Sequence, residues 1–171
     1  LCNEVSRNYA DYDGFVIVHG TDTMAYTAGA LAFGLVGLDK PVILTGAQRP
    51  LASIRTDARR NLVDAVEMAT RDIPEVAICF DGLLLRGCCS TKINARDYRA
   101  FASPGVPALA RLGVDIDIAE HVRRPGEAFS PDARFVDHVL ALHMTPGFRP
   151  KMLEMLLDIS HRPKGIVVAG F

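Results

Sequence analysis

The residues of this chain with the clearest chemical potential are Thr21 and Asp22, in the hexapeptide His-Gly-Thr-Asp-Thr-Met at residues 19–24. The hexapeptide follows an apolar run at residues 15–18 that predicts a buried strand. Polar groups at the carboxyl end of a strand in an α/β sheet face the crevice in which ligands bind. A threonine hydroxyl beside a base is a nucleophile, and a carboxylate can hold an ammonium group. These residue types favour attack on a small polar molecule over phosphate binding.

Thr21 and Asp22 also allow a structural interpretation, because threonine and aspartate are favoured at the N-terminus of a helix. A capping box would need Glu or Gln three residues after Thr21, and Met24 stands there. His19 adds polarity, and Gly20 allows a close approach between backbone and ligand. These features weaken the capping interpretation without removing it, and the sequence leaves both interpretations open.

Two further segments could add groups to the same site. Lys92 follows a short predicted strand and a turn at Gly87, and an uncharged lysine can take a proton from a hydroxyl. A solvated surface lysine is the alternative, and the sequence alone does not bring Lys92 to Thr21. Residues 45–50, Thr-Gly-Ala-Gln-Arg-Pro, follow a predicted strand and fall on the same edge of the sheet. They could offer backbone carbonyls or an amide to a ligand, or form an ordinary strand-to-loop turn.

Other catalytic chemistries find little support. The histidines other than His19 show no metal-ligand spacing such as His-x-x-x-His. They are His121, His138, His143 and His161. No serine lies in a Gly-x-Ser-x-Gly context, which disfavours a nucleophile-elbow hydrolase. The four cysteines form no Cys-x-x-Cys pair, a pattern typical of reduced thiols in a cytosolic protein.

Composition excludes several classes of partner. The net charge of −1 gives no electrostatic reason to bind nucleic acid or an anionic membrane. No apolar run approaches the roughly 20 residues of a membrane span. A hydrophobic content of 49% predicts a sizeable core.

The elements that must position these residues alternate between helix and strand. Helices are predicted at residues 1–9, 23–35 and 57–70, and strands at 15–18, 41–44, 76–80 and 83–85. Asp81-Gly82 between the last two strands predicts a hairpin. The alternation predicts an α/β fold with a layered, mostly parallel sheet and a local antiparallel piece.

A change of composition near Glu120 predicts a domain boundary. Residues 1–119 form a first domain, and 120–134, rich in charge, proline and glycine, form a linker. Residues 135–171 begin a smaller α/β domain, with strands at 136–142 and 165–169 around a helix at 150–159. Because the chain opens at Leu1 and stops just after a strand, we expect an internal fragment of a longer protein.

Together these segments resemble the L-asparaginases of the bacterial type I, cytoplasmic-like branch, within the asparaginase/glutaminase superfamily. The matching stretches are residues 12–15, 19–28, 40–48, 61–62, 86–87, 91–92 and 101–104. The likeness runs through nearly the whole chain and weakens after about Glu120. The hexapeptide at 19–24 together with Thr91-Lys92 is highly specific to this family.

The resemblance implies hydrolysis of L-asparagine to L-aspartate and ammonia, with L-glutamine as the other candidate substrate and with neither metal nor organic cofactor. It implies a triad of Thr21, Lys92 and Asp22, in which Asp22 also binds the substrate α-ammonium. Gly20 and Ala47 correspond to positions that line the pocket. The implied fold is flavodoxin-like, incomplete in its first domain, and the implied enzyme is a cytoplasmic homodimer or homotetramer when full length.

One part of the implied machinery is missing from these residues. The family carries its acylated threonine in a Thr-Gly-Gly-Thr-Ile-like segment, which this sequence does not contain. The resemblance implies that segment upstream of Leu1, and a Gly-x-Gly-Asn-like segment after Phe171. Thr21 is then the partner of the nucleophile, and these residues carry half a site.

Two alternatives remain open. The asparaginase-like subunit of an archaeal-type glutamyl-tRNA amidotransferase shares the hexapeptide and adds an N-terminal domain, although the match at residues 45–50 and 101–104 favours the stand-alone enzyme. A non-catalytic asparagine-binding or regulatory module is the alternative from another class. Asparagine binding without ammonia release would identify that module.

We expect the 171 residues alone to hydrolyse asparagine negligibly, because the acylated threonine implied by the resemblance has no counterpart among them. The measurement is ammonia release by the purified chain in the presence of L-asparagine. Robust turnover would contradict this expectation and would require a different nucleophile.

Overall fold

The computed structural model describes residues 1–157 and 162–170, and the chain divides into two compact units, Leu1–Ala133 and Arg134–Phe171. The helices of the first unit are α1 (Cys2–Arg7), α2 (Met24–Gly34) and α3 (Ala58–Met68). Its strands are β1 (Phe15–Val18), β2 (Val42–Thr45), β3 (Val76–Phe80), β4 (Leu83–Arg86), β5 (Thr91–Lys92), β6 (Phe101–Ala102), β7 (Ala110–Leu112) and β8 (Ile116–Ile118). A 3-10 turn at Gly87–Cys89 separates β4 from β5.

Six of these strands form one sheet in the order β1-β2-β3-β4-β7-β8. The first three are parallel and in register, with Phe15 opposite Val42 and Val42 opposite Val76. Helices α2 and α3 connect them, as parallel neighbours require. The remaining pairs, from β3 to β8, are antiparallel. The predicted α/β class with parallel strands is confirmed, and the antiparallel part is larger than the local piece expected.

The predicted hairpin between β3 and β4 is present. Its two central residues, Asp81 and Gly82, have φ angles of 49° and 72°. A two-residue loop with both φ angles positive matches the twist of the strands that it joins, and aspartate followed by glycine adopts this conformation readily. The hairpin turns the chain back so that β4 leads towards Lys92.

The core consists of two apolar layers, one on each face of the sheet. Side chains alternate between the faces of a strand, so Val42 and Leu44 face the layer built on α2 while Ile43 faces the layer built on α3. Strands β2 and β3 are buried along their whole length. They form the rigid centre from which the polar loops at the carboxyl ends emerge.

Strand β1 differs from its prediction. The apolar run predicts a buried strand, and the structure has the predicted bounds but only partial burial, with Val18 71% exposed. The reason is position, because β1 is the edge of the sheet and pairs only with β2 among the described strands. Its carboxyl end, which carries the hexapeptide, therefore lies at an open edge.

The predicted linker at residues 120–134 contains no helix or strand, and its described backbone is attached to the first unit. The amide of Ser130 donates to Val36 O at 2.9 Å and that of Asp132 to Gly34 O at 2.8 Å. Phe129 stacks on Tyr9, with the ring centroids 3.6 Å apart. The segment thus covers the end of α2.

The second unit contains β9 (Val139–His143), α4 (Pro150–Leu157) and β10 (Gly165–Ala169), with β9 and β10 parallel. The last two residues of the predicted helix 150–159 lie outside the described residues, as does His161. Strand β9 begins later than predicted. None of the helices within the described residues combines the length and the apolar character that crossing a membrane requires.

A buried ion pair joins Glu75, directly before β3, to Arg86, the last residue of β4, near the turn that precedes Lys92. Arg86 Nε lies 2.5 Å from Glu75 Oε2, and both side chains are 8% exposed. Arg86 Nη2 donates to Glu75 Oε1 and to His121 O, both at 2.9 Å, and the amide of Arg123 donates to Glu75 Oε1 at 2.7 Å. The hydrogen bonds to Glu75 raise the pKa of Arg86, so the guanidinium stays charged.

We expect Glu75→Ala to lower the free energy of unfolding by about 3–5 kcal/mol, because it leaves a buried guanidinium without its counter-charge. The measurement is urea unfolding. The control is Glu67→Ala, which removes the exposed pair with Arg71 on α3 and should cost no more than about 0.5 kcal/mol. Equal losses in the two variants would contradict a special role for the buried pair.

Candidate active site

The parallel register of β1 and β2 brings their following loops together. The amide of His19 donates to Thr45 O at 2.8 Å and extends the ladder one residue beyond the strands. At Gly46 the loops approach so closely that a Cβ atom would lie 2.3 Å from His19 O. Glycine is therefore required at position 46, and this contact places the hexapeptide beside residues 45–50.

Lys92 reaches the same edge along a different route. After β4 the chain makes the turn at Gly87–Cys89, where a Cβ on Gly87 would lie 2.8 Å from Val76 O. Ser90 Oγ donates to Arg86 O at 2.7 Å and stabilises the turn. Strand β5 then pairs with β6 and carries Lys92 opposite Phe101.

The side chains of Thr21, Asp22 and Lys92 meet in the structure. Lys92 Nζ lies 2.8 Å from Thr21 Oγ1 and 2.6 Å from Asp22 Oδ1. The contact joins residues separated by 71 positions along the chain, so sequence proximity does not explain it. A hydroxyl, an amine and a carboxylate in this order form the chain of contacts that acyl-transfer chemistry uses to activate a nucleophile.

The three groups differ in exposure. The Lys92 side chain is 17% exposed and the Asp22 side chain 92%. The hydrogen bond and the charge of Lys92 lower the pKa of Asp22, so its carboxylate is ionised at neutral pH. Asp22 thus holds Lys92 and also faces solvent, where it can accept further hydrogen bonds from a ligand.

Capping does not account for Thr21 and Asp22. The N-cap residue of α2 is Thr23, and it makes no side-chain capping hydrogen bond. Thr21 Oγ1 instead contacts Lys92 Nζ and Gln48 Oε1, and the Asp22 carboxylate contacts Lys92. Both side chains are turned towards the Lys92 segment and away from the helix amides.

Gln48 is a member of this cluster that the predicted residue set lacks. Thr21 Oγ1 donates to Gln48 Oε1 at 3.3 Å. Gln48 Nε2 donates to Asp97 O at 2.9 Å and to Asn94 O at 3.3 Å. Its amide group therefore connects Thr21 to the loop after β5. The sequence signal for Gln48 was its position in residues 45–50. That position predicted an amide that contacts a ligand, whereas in the structure the amide contacts Thr21.

A polar network under the cluster supports the loop that carries Gln48. The Asp57 carboxylate accepts hydrogen bonds from the amides of Gln48 at 2.9 Å and Arg49 at 3.0 Å. Asn61 is 1% exposed, and its Nδ2 donates to Gly46 O at 2.9 Å while its Oδ1 accepts from the Asp81 amide at 3.1 Å. Buried polar groups that are fully paired in this way hold loops in one arrangement.

Gly20 and Ala47, the other predicted site residues, line a cleft of about 580 Å³ at the carboxyl ends of β1 and β2. Gln48 lines it too, whereas Thr21, Asp22 and Lys92 do not. A Cβ on Gly20 would meet no atom within 4 Å, so the space beside this residue is open. The structure therefore brings the three side chains of the predicted triad together and places Gly20 and Ala47 in an adjoining cleft.

His19 and His121 have ordinary structural contacts. His19 Nδ1 lies 2.8 Å from Gly20 O and its Nε2 lies 3.0 Å from Thr27 Oγ1, so both ring nitrogens are engaged within the hexapeptide region. His121 Nε2 lies 3.3 Å from Pro107 O. Among the residues described, no cluster of three or more His, Cys, Asp or Glu side chains could hold a metal ion.

Comparisons of this chain with known proteins agree on one protein family. The family model described as Asparaginase, N-terminal matches residues 1–124. The 60 kDa lysophospholipase of Mus musculus is 46% identical over 181 aligned residues, covering 100% of this chain and 31% of that protein. L-asparaginase 1 of Escherichia coli (strain K12) is 48% identical over 125 residues, covering 72% of this chain and 35% of that enzyme. The chain spans about a third of the length of these curated relatives.

Further similarities extend through the whole chain. The crystal structure of L-asparaginase I from Vibrio cholerae superposes with a TM-score of 0.88 and 36% identity, covering 99% of this chain and 52% of that chain. A glutamyl-tRNA(Gln) amidotransferase subunit from Pyrococcus abyssi is 34% identical over 183 aligned residues, covering 99% of this chain and 41% of that protein. The resemblance to type I asparaginases is confirmed.

We expect Lys92→Met to raise the pKa of the Asp22 carboxyl towards its ordinary value, because Lys92 supplies both causes of its lowering. In the unchanged protein the ion pair is formed at neutral pH and is lost only as the pH falls through the lowered pKa. The measurement is an NMR titration of the Asp22 carboxyl carbon, with Lys151→Met on α4 as control. Identical midpoints in the Lys92→Met variant and the unchanged protein would contradict the contact.

Proposed function

Because the chain belongs to the asparaginase family, we propose that its protein is an amidohydrolase that converts L-asparagine to L-aspartate and ammonia. The observation that supports this most directly is the position of Lys92 Nζ, in contact with both Thr21 Oγ1 and Asp22 Oδ1. Two of the three groups occur in the hexapeptide that carries the family resemblance. The proposal assigns Thr21, Lys92 and Asp22 to one catalytic triad.

Lys92 acts in this proposal as the base. When uncharged, its amine can take a proton from the Thr21 hydroxyl, or through it from a water or a second hydroxyl, over the 2.8 Å separation. The ammonium that results is stabilised by the Asp22 carboxylate at 2.6 Å. Gln48 Oε1, at 3.3 Å, orients the Thr21 hydroxyl.

Asp22 has a second role in the proposal. Its side chain is 92% exposed and its pKa is lowered, so an ionised carboxylate faces the position of an incoming amino acid. It accepts charge-assisted hydrogen bonds from the substrate α-ammonium. Gly20 and Ala47 contribute backbone groups along the adjoining cleft, and the space beside Gly20 is open.

The remaining expectations of the resemblance belong to the same proposal. A threonine outside these 171 residues attacks the amide carbon and becomes acylated as ammonia leaves, and backbone N–H groups stabilise the tetrahedral intermediate. Residues 1–119 act as the N-terminal asparaginase domain and 135–171 begin the C-terminal one, joined by 120–134. The full-length enzyme works in the cytoplasm as a homodimer or homotetramer, without metal or organic cofactor.

A second candidate function is hydrolysis of a lysophospholipid ester, favoured by the relative named 60 kDa lysophospholipase, which aligns with the whole chain. Ester and amide hydrolysis both pass through a tetrahedral intermediate, so the triad could serve either. The exposed Asp22 carboxylate favours the amino acid, because it matches an α-ammonium group. The similarity to a protein named as an amidotransferase subunit supports the other alternative, a subunit that delivers ammonia to a partner protein.

We expect Thr21→Val, Asp22→Ala and Lys92→Met each to lower asparagine turnover by the full-length protein about 10²–10⁴-fold, the usual range for loss of acid–base catalysis. Ammonia release measures the effect. Thr70→Val, in the exposed turn just after α3, and Lys151→Met, on the surface of α4, serve as matched controls. Near-normal turnover in all three variants would dismiss the triad.

A substrate panel separates the candidate functions. The full-length protein is assayed with L-asparagine, L-glutamine and a lysophosphatidylcholine at equal concentrations. We expect ammonia from asparagine to exceed fatty-acid release, because only the amino acid has an α-ammonium that can donate hydrogen bonds to the Asp22 carboxylate. Fatty-acid release that survives Asp22→Ala while asparagine is not hydrolysed would reverse the order of the two candidates.

A further inference from the structure

Two adjacent cysteines occupy the turn directly before Lys92. Cys88 is exposed and Cys89 is partly exposed, while Cys2 and Cys79 are buried. The sulfur atoms of Cys88 and Cys89 are 3.8 Å apart. Accessible thiols at this separation can be joined as a disulfide when an oxidant takes up two electrons, so the pair differs from a single cysteine.

A cavity adjoins this pair. It has a volume of about 270 Å³, and Cys88 lies in its lining. The lining also contains Arg86, Arg123 and Arg124. Arg86 is neutralised by Glu75, and Arg124 pairs with Asp72. Arg123 is exposed, and Glu127 also lines the cavity. The cavity therefore offers the Arg123 guanidinium to a carboxylate of a small molecule, next to the exposed Cys88 thiol.

We propose that Cys88 and Cys89 form a vicinal dithiol that is oxidised to a disulfide by a small carboxylate-bearing disulfide bound in the arginine-lined cavity. This modification site is independent of the triad chemistry. Partial burial of the Cys88 thiol raises its pKa, and the hydrogen bond with Cys89 adds to this rise. The charges of Arg123 and Arg86 act in the opposite direction. The exchange accelerates as the pH increases, because the thiolate is the attacking species.

The exchange has two steps. The Cys88 thiolate attacks one sulfur of the small disulfide, whose S–S bond breaks, and the released thiolate takes up the proton lost by Cys88. The Cys89 thiolate then attacks the Cys88 sulfur in the mixed disulfide and displaces the second small thiolate, which takes up the proton lost by Cys89. The dithiol loses two electrons, and the small disulfide gains two and becomes two thiols.

Ring closure must change the turn at Gly87–Cys89. The sulfurs have to approach from 3.8 Å to about 2.05 Å. The peptide unit fixes adjacent Cα atoms about 3.8 Å apart, below the 4.4–6.8 Å usual for a disulfide, so ring closure strains the turn and has to rotate the backbone dihedral angles of Cys88 and Cys89. Since Ser90 and Thr91 alone separate the ring from Lys92, oxidation shifts Lys92 relative to Thr21. Any effect on amide hydrolysis rests on the proposed function; the disulfide itself does not.

The test uses the reduced 171-residue chain and three probes: glutathione disulfide, hydroxyethyl disulfide and cystamine. After quenching with an alkylating agent, intact and peptide masses are measured. We expect the chain to lose the mass of two hydrogens, to block Cys88 and Cys89 from alkylation, and to carry no small thiol. The anionic probe should react severalfold faster than the cationic one.

Variants separate the steps. Cys89→Ser should accumulate a mixed disulfide at Cys88, and Cys88→Ser should react far more slowly. Arg123→Glu should abolish the preference for the anionic probe, while Arg59→Glu, an exposed arginine on α3, should keep it. A stable mixed disulfide in the unchanged chain, or no reaction at Cys88 or Cys89, would overturn the proposal.

Hydrogen exchange tests the effect on the site. Oxidation should reduce the protection of the amides in the β5–β6 pairing, where Thr91 lies opposite Ala102 and Lys92 opposite Phe101. The α3 amides serve as the internal reference. Disulfide formation with unchanged protection of β5 would overturn the coupling to Lys92 and leave the modification site. Failure of the triad variants to lose activity would count against the proposed function alone.

Discussion

The candidate site depends on one interaction, the contact of the Lys92 ammonium with the Thr21 hydroxyl and the Asp22 carboxylate. Two parts of the fold make this contact. The parallel ladder of β1 and β2 presents Thr21 and Asp22 at the edge of the sheet. The β3–β4 hairpin and the turn after it bring Lys92 back, supported by the buried pair of Arg86 with Glu75. A substitution that disrupts either part would move the three side chains apart without changing any of them chemically.

This edge of the sheet is held rigid by polar groups that are hydrogen-bonded to one another. Asn61 joins Gly46 on the β2 loop to Asp81 in the hairpin turn, and Asp57 binds the amides that follow Ala47. Unpaired, these buried groups would destabilise the fold, whereas paired they specify a single loop arrangement. An active site needs its reacting atoms held in place in this way, because small displacements of these atoms lower the reaction rate steeply.

Local patterns account for the parts of the fold that the sequence predicts. β1 and β3 are continuous apolar runs with turn residues after them, and the structure gives them the predicted bounds. β7 and β8 have three residues each, too few to show the alternation that indicates a strand. The contact between Thr21 and Lys92 and the role of Gln48 depend on chain pairing across the sheet, which no local pattern contains.

The exposure of the Lys92–Asp22 pair indicates what it is for. Ion pairs with an exposed partner contribute little to stability, because water competes for both charges. The fold has a different kind of pair in Glu75 and Arg86, in which both side chains are buried and several hydrogen bonds complete the network. Lys92 is mostly buried and Asp22 projects outward. This arrangement stabilises the protein weakly and leaves an ionised carboxylate facing solvent, which fits the proposed catalytic role better than a structural one.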